Sequence, residues 1–358
     1  MKKSSPILFG AGAAFFFLLV ALGVWRYQAA RHSGPEEMLG VLLRSMPEGS
    51  SGVLYIDAAQ LRQARFAQKL FAWAPKPEAD PEYARFVEQT GFNYERDLAR
   101  VGFSAVSRGS RSYWFAIADG AFDQKKIAAY LAKISVVEKR GGHDIYSVPA
   151  LLPLNTPGQG KSKGAPASAW SKISFTFLGA GRIAATSDAD LSVYLDQKEA
   201  PADAPQWEKR FKRLAGAPIF VVLRQDDRRA SSLGAEAPGG WQSPQLSALL
   251  AQLTWCTLAG QPQNDSLRIV AEGESPSEAT ARQLADMLNG VLILAEAGLN
   301  DRKMRERLNP QTRSAYLALL KSADISRLDR DDLKAVRVVL DVTPGFLDAA
   351  TWAQPAPK

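Results

Sequence analysis

Apolar positions along the chain recur with two periods, and the switches between them predict its elements. First comes a 20-residue run without a charge, PILFGAGAAFFFLLVALGVW (Pro6–Trp25). It is long enough to cross a bilayer core as a helix. EEMLGVLLRSMP then predicts a short amphipathic helix ended by Pro47, inside a stalk spanning 26–48. SGVLYID predicts a strand over Gly52–Asp57, leading into a helix that ends near Trp73, with Leu61, Phe66, Leu70 and Phe71 on its apolar face. Another helix is expected from Pro81, stopped by Gly91. LARVGFSAVSR and SYWFAIADG alternate as the two strands of a hairpin.

Asp123 follows at the N-cap position of a helix, where a short acceptor satisfies an orphan backbone N–H. Phe122 and Ile127 have the spacing of a hydrophobic staple, and Ile127, Tyr130, Leu131 and Ile134 mark one buried face. A turn at KRGGH, the strand DIYSV, a Gly/Pro/Ser-rich loop over 150–170 and the hairpin KISFTFLGAGRIAATSD complete this half.

The plan then repeats. PIFVVLR corresponds to GVLYID, and the stretch LTWCTLAG to LADML runs parallel to LARVGFSAV to YLAKI, with ADG (Ala118–Gly120) matched by AEG (Ala271–Gly273). The second copy carries a capping box, Ser275-Pro276-Ser277-Glu278, ahead of the stripe Leu284, Met287, Leu288, Val291 and Leu292. A helix from Pro310 to about Ala323 and a final strand AVRVVLDV end it. Hairpins followed by helices predict an α+β fold with mainly antiparallel sheet. The expected layout is a tail over 1–5, a transmembrane anchor over 6–25, the stalk, and two similar α+β units over 49–200 and 201–358.

The segments MPEGSSGVLYID, FVEQTGFNYERDL, GGHDIYSV and ISFTFLGAGRIAATSDADLSVYLD resemble a group of uncharacterised exported, membrane-anchored bacterial proteins of duplicated α+β design. The resemblance rests on packing patterns, so it implies a fold and an address and carries no activity.

Charge narrows the partners. The net charge is +7, but Lys2, Lys3, Arg26 and Arg31 flank the apolar run, and the remainder holds 40 basic against 37 acidic residues. That diffuse balance weakens a nucleic-acid reading, which needs a concentrated basic surface, and no nucleic-acid partner is expected. Small residues are missing at the −3 and −1 positions of a cleavage site after Trp25, and Lys2 and Lys3 precede the run. An uncleaved single-pass anchor in the lipid bilayer is therefore expected, with the body extracytoplasmic and periplasmic in a Gram-negative cell.

Candidate chemistry is sparse. Two histidines (His32, His143) and one cysteine (Cys256) leave no transition-metal set or nucleophile–His arrangement, and Cys256 reads as a buried structural thiol. NTPGQGKS lacks the first glycine of a phosphate loop, and no cofactor is expected. Paired acids for general acid–base work could come from Asp119 with Asp123, or from Glu88, Glu95 and Asp97. Each also fits a cap, a strand end or a solvated face, so no catalytic residue is assigned. Trp207, Trp241 and Trp352 are the tryptophans expected at the surface. The expected function is non-enzymatic binding of an envelope protein or polysaccharide; the alternative is a carboxylate-dependent polysaccharide hydrolase.

Overall fold

The computed structural model describes residues 35–68, 81–108, 111–149, 172–188, 190–195, 201–225, 244–330 and 333–352. The expected anchor, the loop over 150–170, Trp241 and the end of the helix near Trp73 lie outside these residues. Among the described residues no helix is long and apolar enough to cross a membrane.

The described strands are β1 Ser50–Asp57, β2 Leu98–Arg108, β3 Arg111–Gly120, β4 Val136–Arg140, β5 His143–Pro149, β6 Lys172–Gly179, β7 Arg182–Thr186, β8 Ile219–Arg224, β9 Trp255–Gln263, β10 Ser266–Glu274, β11 Asp324–Arg330 and β12 Leu333–Val342. They form one sheet in the order β11-β12-β10-β9-β8-β1-β2-β3-β7-β6-β5-β4. Every neighbouring pair is antiparallel. Inside the sheet β1 and β8 are neighbours. Outward from β1 the sheet runs β2, β3, β7, β6, β5, β4; outward from β8 it runs β9, β10, β12, β11.

The helices are α1 Pro35–Ser45, α2 Ala58–Leu61, α3 Pro81–Thr90, α4 Tyr94–Asp97, α5 Gln124–Ile134, α6 Ser192–Leu195, α7 Ala204–Arg213, α8 Pro244–Leu250, α9 Glu278–Asn300, α10 Arg302–Arg307, α11 Pro310–Lys321 and α12 Pro344–Trp352. The chain is thus a mixed fold of helices and antiparallel sheet, as the alternating hairpins and helical stripes predict.

The two faces of the sheet are covered differently. On one, Val53, Tyr55, Phe115, Ile117, Phe220, Val222 and Trp255 meet Met38 and Leu42 of α1, Trp207 and Phe211 of α7, and the residues just past these helices, Met46 and Leu214. Residues 35–45 are therefore part of the globular body and not of a stalk. The stripe Met38, Leu39, Leu42, Met46 has the helical period and is buried along its length. Gly102 on β2 permits the approach: a Cβ there would lie 2.8 Å from Leu42 Cδ2. On the opposite face α8 and α9 pack Leu249, Leu284 and Ala285 against Val336, while α11 and α12 pack Leu319 and Leu347 against Val342. At the far end α3 and α5 bring Phe86, Ile127 and Leu131 onto Tyr146 and Phe175.

Several expectations change. Trp207, expected at the surface, is fully buried, edge-on to Trp255 with centroids 4.8 Å apart, because it stands on α7, whose face Ala204, Trp207, Phe211 packs on the sheet. Ile134, expected in the buried stripe of α5, is 46% exposed, since it lies in the last turn beyond the edge of the packed layer. The cap of α9 is Ser277, which accepts from Thr280 N at 3.1 Å. Ser275 is instead drawn to the sheet end, its N–H donating to Lys334 O. Strands β4 and β11 escaped the sequence pattern because few of their side chains are buried. Cys256 is half-buried within the apolar layer under α8 and α9, and burial pushes its thiol up to about 11, far from the range of a reactive thiolate.

Candidate functional site

The nominated acids do not assemble into a pair with chemistry to do. Asp123 caps α5, accepting from Lys126 N at 3.1 Å, and that bond holds its carboxyl below the usual range. Glu88 is exposed on α3. Asp97 accepts from Arg96 Nε at 2.7 Å and from Asn93 N at 2.8 Å, so it fastens the α4 turn, with Arg96 the main cause of its lowered pKa. Glu95 lies half-buried in the same turn, at the second helical position, where its N–H is satisfied by Asn93. His143 follows the Gly141-Gly142 turn between β4 and β5, both glycines at positive φ as a two-residue hairpin requires. Among the described residues no cluster of three or more metal-ligating side chains exists.

Asp119 has a different role, set by strand register. Directly opposed residues on antiparallel strands share a face. Asp57 on β1 is opposite Arg100 on β2, Arg100 opposite Asp119 on β3, and Asp119 opposite Arg182 on β7. Four adjacent strands thus present an acid–base–acid–base row. Arg100 Nε donates to Asp57 at 3.0 Å. Arg182 grips Asp119 with two bonds, Nε at 2.6 Å and Nη2 at 3.0 Å, and also lies 3.9 Å from Glu37 of α1. Asp57 has a second task, accepting from Gln60 N as the cap of α2. Both aspartates are 4% exposed. The Tyr55 hydroxyl lies buried beside this row, and burial raises its pKa further than the nearby acids do. Every charge in the row is answered by its neighbour.

A second row, across β8, β9, β10 and β12, is composed differently. Register puts Val222 on β8 opposite Thr257 on β9, Thr257 opposite Glu272 on β10, and Glu272 opposite Arg337 on β12. An acid again faces an arginine across the third and fourth strands, but here they stand 3.9 Å apart. The positions held by Asp57 and Arg100 in the first row are the shorter, uncharged Val222 and Thr257. A cavity of about 390 Å³ opens beside Thr257, lined by Arg213, Leu214, Ala217, Thr257, Ala259, Val270, Glu272, Leu328, Arg330 and Arg337.

One step along the same face, the end of α7 meets the end of β10. Arg210 and Arg213, three residues apart and so on one side of the helix, both donate to Glu274, which is 7% exposed. The Arg210 guanidinium lies 3.7 Å from the centroid of Trp255, a cation–π arrangement, and also bonds Gln206 O at 2.7 Å. Burial lowers the pKa of Arg210 against the opposing pull of Glu274, though a guanidinium stays charged at any physiological pH. Around the cavity Arg213 Nε, Arg337 Nε and the Thr257 hydroxyl are buried without a hydrogen-bond partner. Sequence reasoning missed this site because its residues come from α7, β9, β10, β11 and β12. Only the acid at 272, matched to Asp119, hinted at it.

No family model matches the chain, and no curated protein does. Solved structures of the Treponema protein TP0453 are similar. Its crystal form III shows 10% identity over 86% of this chain and 96% of that one, with a TM-score of 0.45. Form IV gives 10% identity, 87% and 96% coverage and a TM-score of 0.44; form I gives 9%, 87% and 95%, and 0.42. Likeness at this level carries no argument about function.

Proposed function

We propose that this chain is a non-enzymatic binding module of the cell envelope, held in the membrane by Pro6–Trp25 with its body outside the cytoplasm. It is built as two copies of one unit that share a sheet through β1 and β8. The duplication is supported by the like order of the five strands on each side nearest that seam, β1-β2-β3-β7-β6 and β8-β9-β10-β12-β11, with β5 and β4 added to the first copy, and by the acid–arginine pairs Asp119–Arg182 and Glu272–Arg337 at matching places. The observation that carries the binding reading is the divergence of the two rows. The first closes on itself with paired charges, whereas the second leaves a cavity bordered by unspent donors. The hydrolase alternative needs two free carboxylates flanking a cleft. Asp119, Asp123 and Asp97 are each engaged in holding a strand or a helix end, and Glu88 stands on an exposed helix face.

Two measurements test this reading. A C-terminal fusion to a reporter active only in the cytoplasm should stay silent in cells, and a bright one overturns the extracytoplasmic placement. A photo-crosslinking residue in place of Arg330, at the cavity rim, should trap an envelope component in intact cells, while one in place of Glu88 on α3 should not. Equal yields at both positions would count against a binding site at the cavity.

A further inference from the structure

We infer that the cavity beside Arg337 binds a small amphiphile with a single oxyanion head, a phosphate or a carboxylate, and a short apolar body. This rests on the binding reading above and names its ligand class. The head is selected by what the cavity leaves unspent. A guanidinium can only donate, so Arg213 Nε and Arg337 Nε require acceptors, and the Thr257 hydroxyl, 3% exposed, can supply a further donor. Arg213 already spends Nη2 on Glu274, which fixes the plane of its fork and aims the rest.

Charge points the same way. Among the described residues, Arg210, Arg213, Arg330 and Arg337 gather around two carboxylates, Glu272 and Glu274, so four positive charges stand against two negative ones and favour an anion over a cation. The first row explains why the space exists. Where Arg100 reaches across to Asp57, Thr257 is too short to reach Val222, and Val222 offers nothing to bond. A ligand oxyanion would take up the donors that a closed row satisfies internally.

The rest of the lining selects the body. Leu214, Ala217, Ala259, Val270 and Leu328 give the cavity an apolar wall beside its arginines. At about 390 Å³ it lies at the small end of ligand pockets, which admits a short chain or a single ring and excludes a folded polymer.

Isothermal titration of the folded chain with decyl phosphate and decanoate, each below its micellar concentration, tests the assignment. Saturable binding of one molecule per chain by either is expected, and the tighter of the two identifies the head. Inorganic phosphate should bind at least ~10-fold more weakly and decyltrimethylammonium not at all. Arg337→Gln and the near-isosteric Thr257→Val should each weaken binding roughly 10-fold, the loss of a charge-assisted or buried hydrogen bond. Arg282→Gln, on α9 across the sheet, should change nothing. Urea unfolding of each variant separates lost binding from lost fold, and Thr257→Val keeps the test valid should Arg337→Gln unfold. Equal binding of the ammonium amphiphile, equal binding of free phosphate, or wild-type affinity in both cavity variants overturns the assignment. If no amphiphile binds while the crosslinker at 330 still traps an envelope component, the ligand class fails and the binding reading stands.

Discussion

Glu274→Ala lowers the free energy of unfolding by about 3–5 kcal/mol, the cost of removing one partner from a buried ion pair. Its carboxylate takes a bond from each of Arg210 and Arg213, and both arginines are anchored by the same short helix, α7. Arg210 cannot swing out to water without leaving the Trp255 face and its bond to Gln206 O. The variant therefore strands positive charge against the most aromatic part of the core, where Trp207, Trp255 and Phe211 meet. Urea unfolding followed by tryptophan fluorescence reads the loss directly. The companion Glu274→Met, Arg210→Met recovers part of it, because an apolar pair of similar volume needs no counter-charge. An unchanged midpoint for Glu274→Ala would mean that this contact does not hold α7 to the sheet.

Asp119→Asn costs about 2–3 kcal/mol, somewhat below a fully buried pair because Arg182 keeps Glu37 nearby. An amide can accept from one arm of Arg182 but turns a donor toward the other, so the two-bond grip at 2.6 and 3.0 Å is broken. The row Asp57–Arg100–Asp119–Arg182 should behave as a unit. The double variant Asp119→Asn, Arg182→Gln should be less destabilised than the two single losses added, with a coupling of about 1 kcal/mol or more. Strict additivity would mean that the side chains are neighbours without a mutual bond. The single variant Asp119→Asn also tests the hydrolase reading, with loss of stability and no loss of any glycan hydrolysis expected. If it keeps its fold and abolishes a measured glycan hydrolysis, Asp119 is chemical after all.

Local signals served well where one element's own period decided the outcome. The hairpin of β2 and β3 alternates because one side of each strand is buried, and Asp123 caps α5 because the bond it makes spans three residues. The helix from Pro81 stops at Gly91, whose φ of 74° only glycine adopts freely. The misses share a cause. Strands β4 and β11 lie at the two edges of the sheet, where burial is too slight to leave a period. Helix α7 carries its buried stripe between charged neighbours, with Arg210 inside it, and so reads as polar until Glu274 is known to receive that charge.

What the sequence by itself determined is the α+β class, the hairpins, most helix starts and the placing of acids at the strand ends at 119 and 272. All follow from steric and hydrogen-bonding rules that act within about ten residues. It could not determine what those acids do. Asp119 meets Arg182 across 63 positions of chain, and Glu272 meets Arg337 across the seam of two other strands. Whether such a pair closes or stays open depends on the next side chain in the row, Arg100 in one case and Thr257 in the other. Register brings those residues together, and register is fixed only when the whole sheet buries its faces.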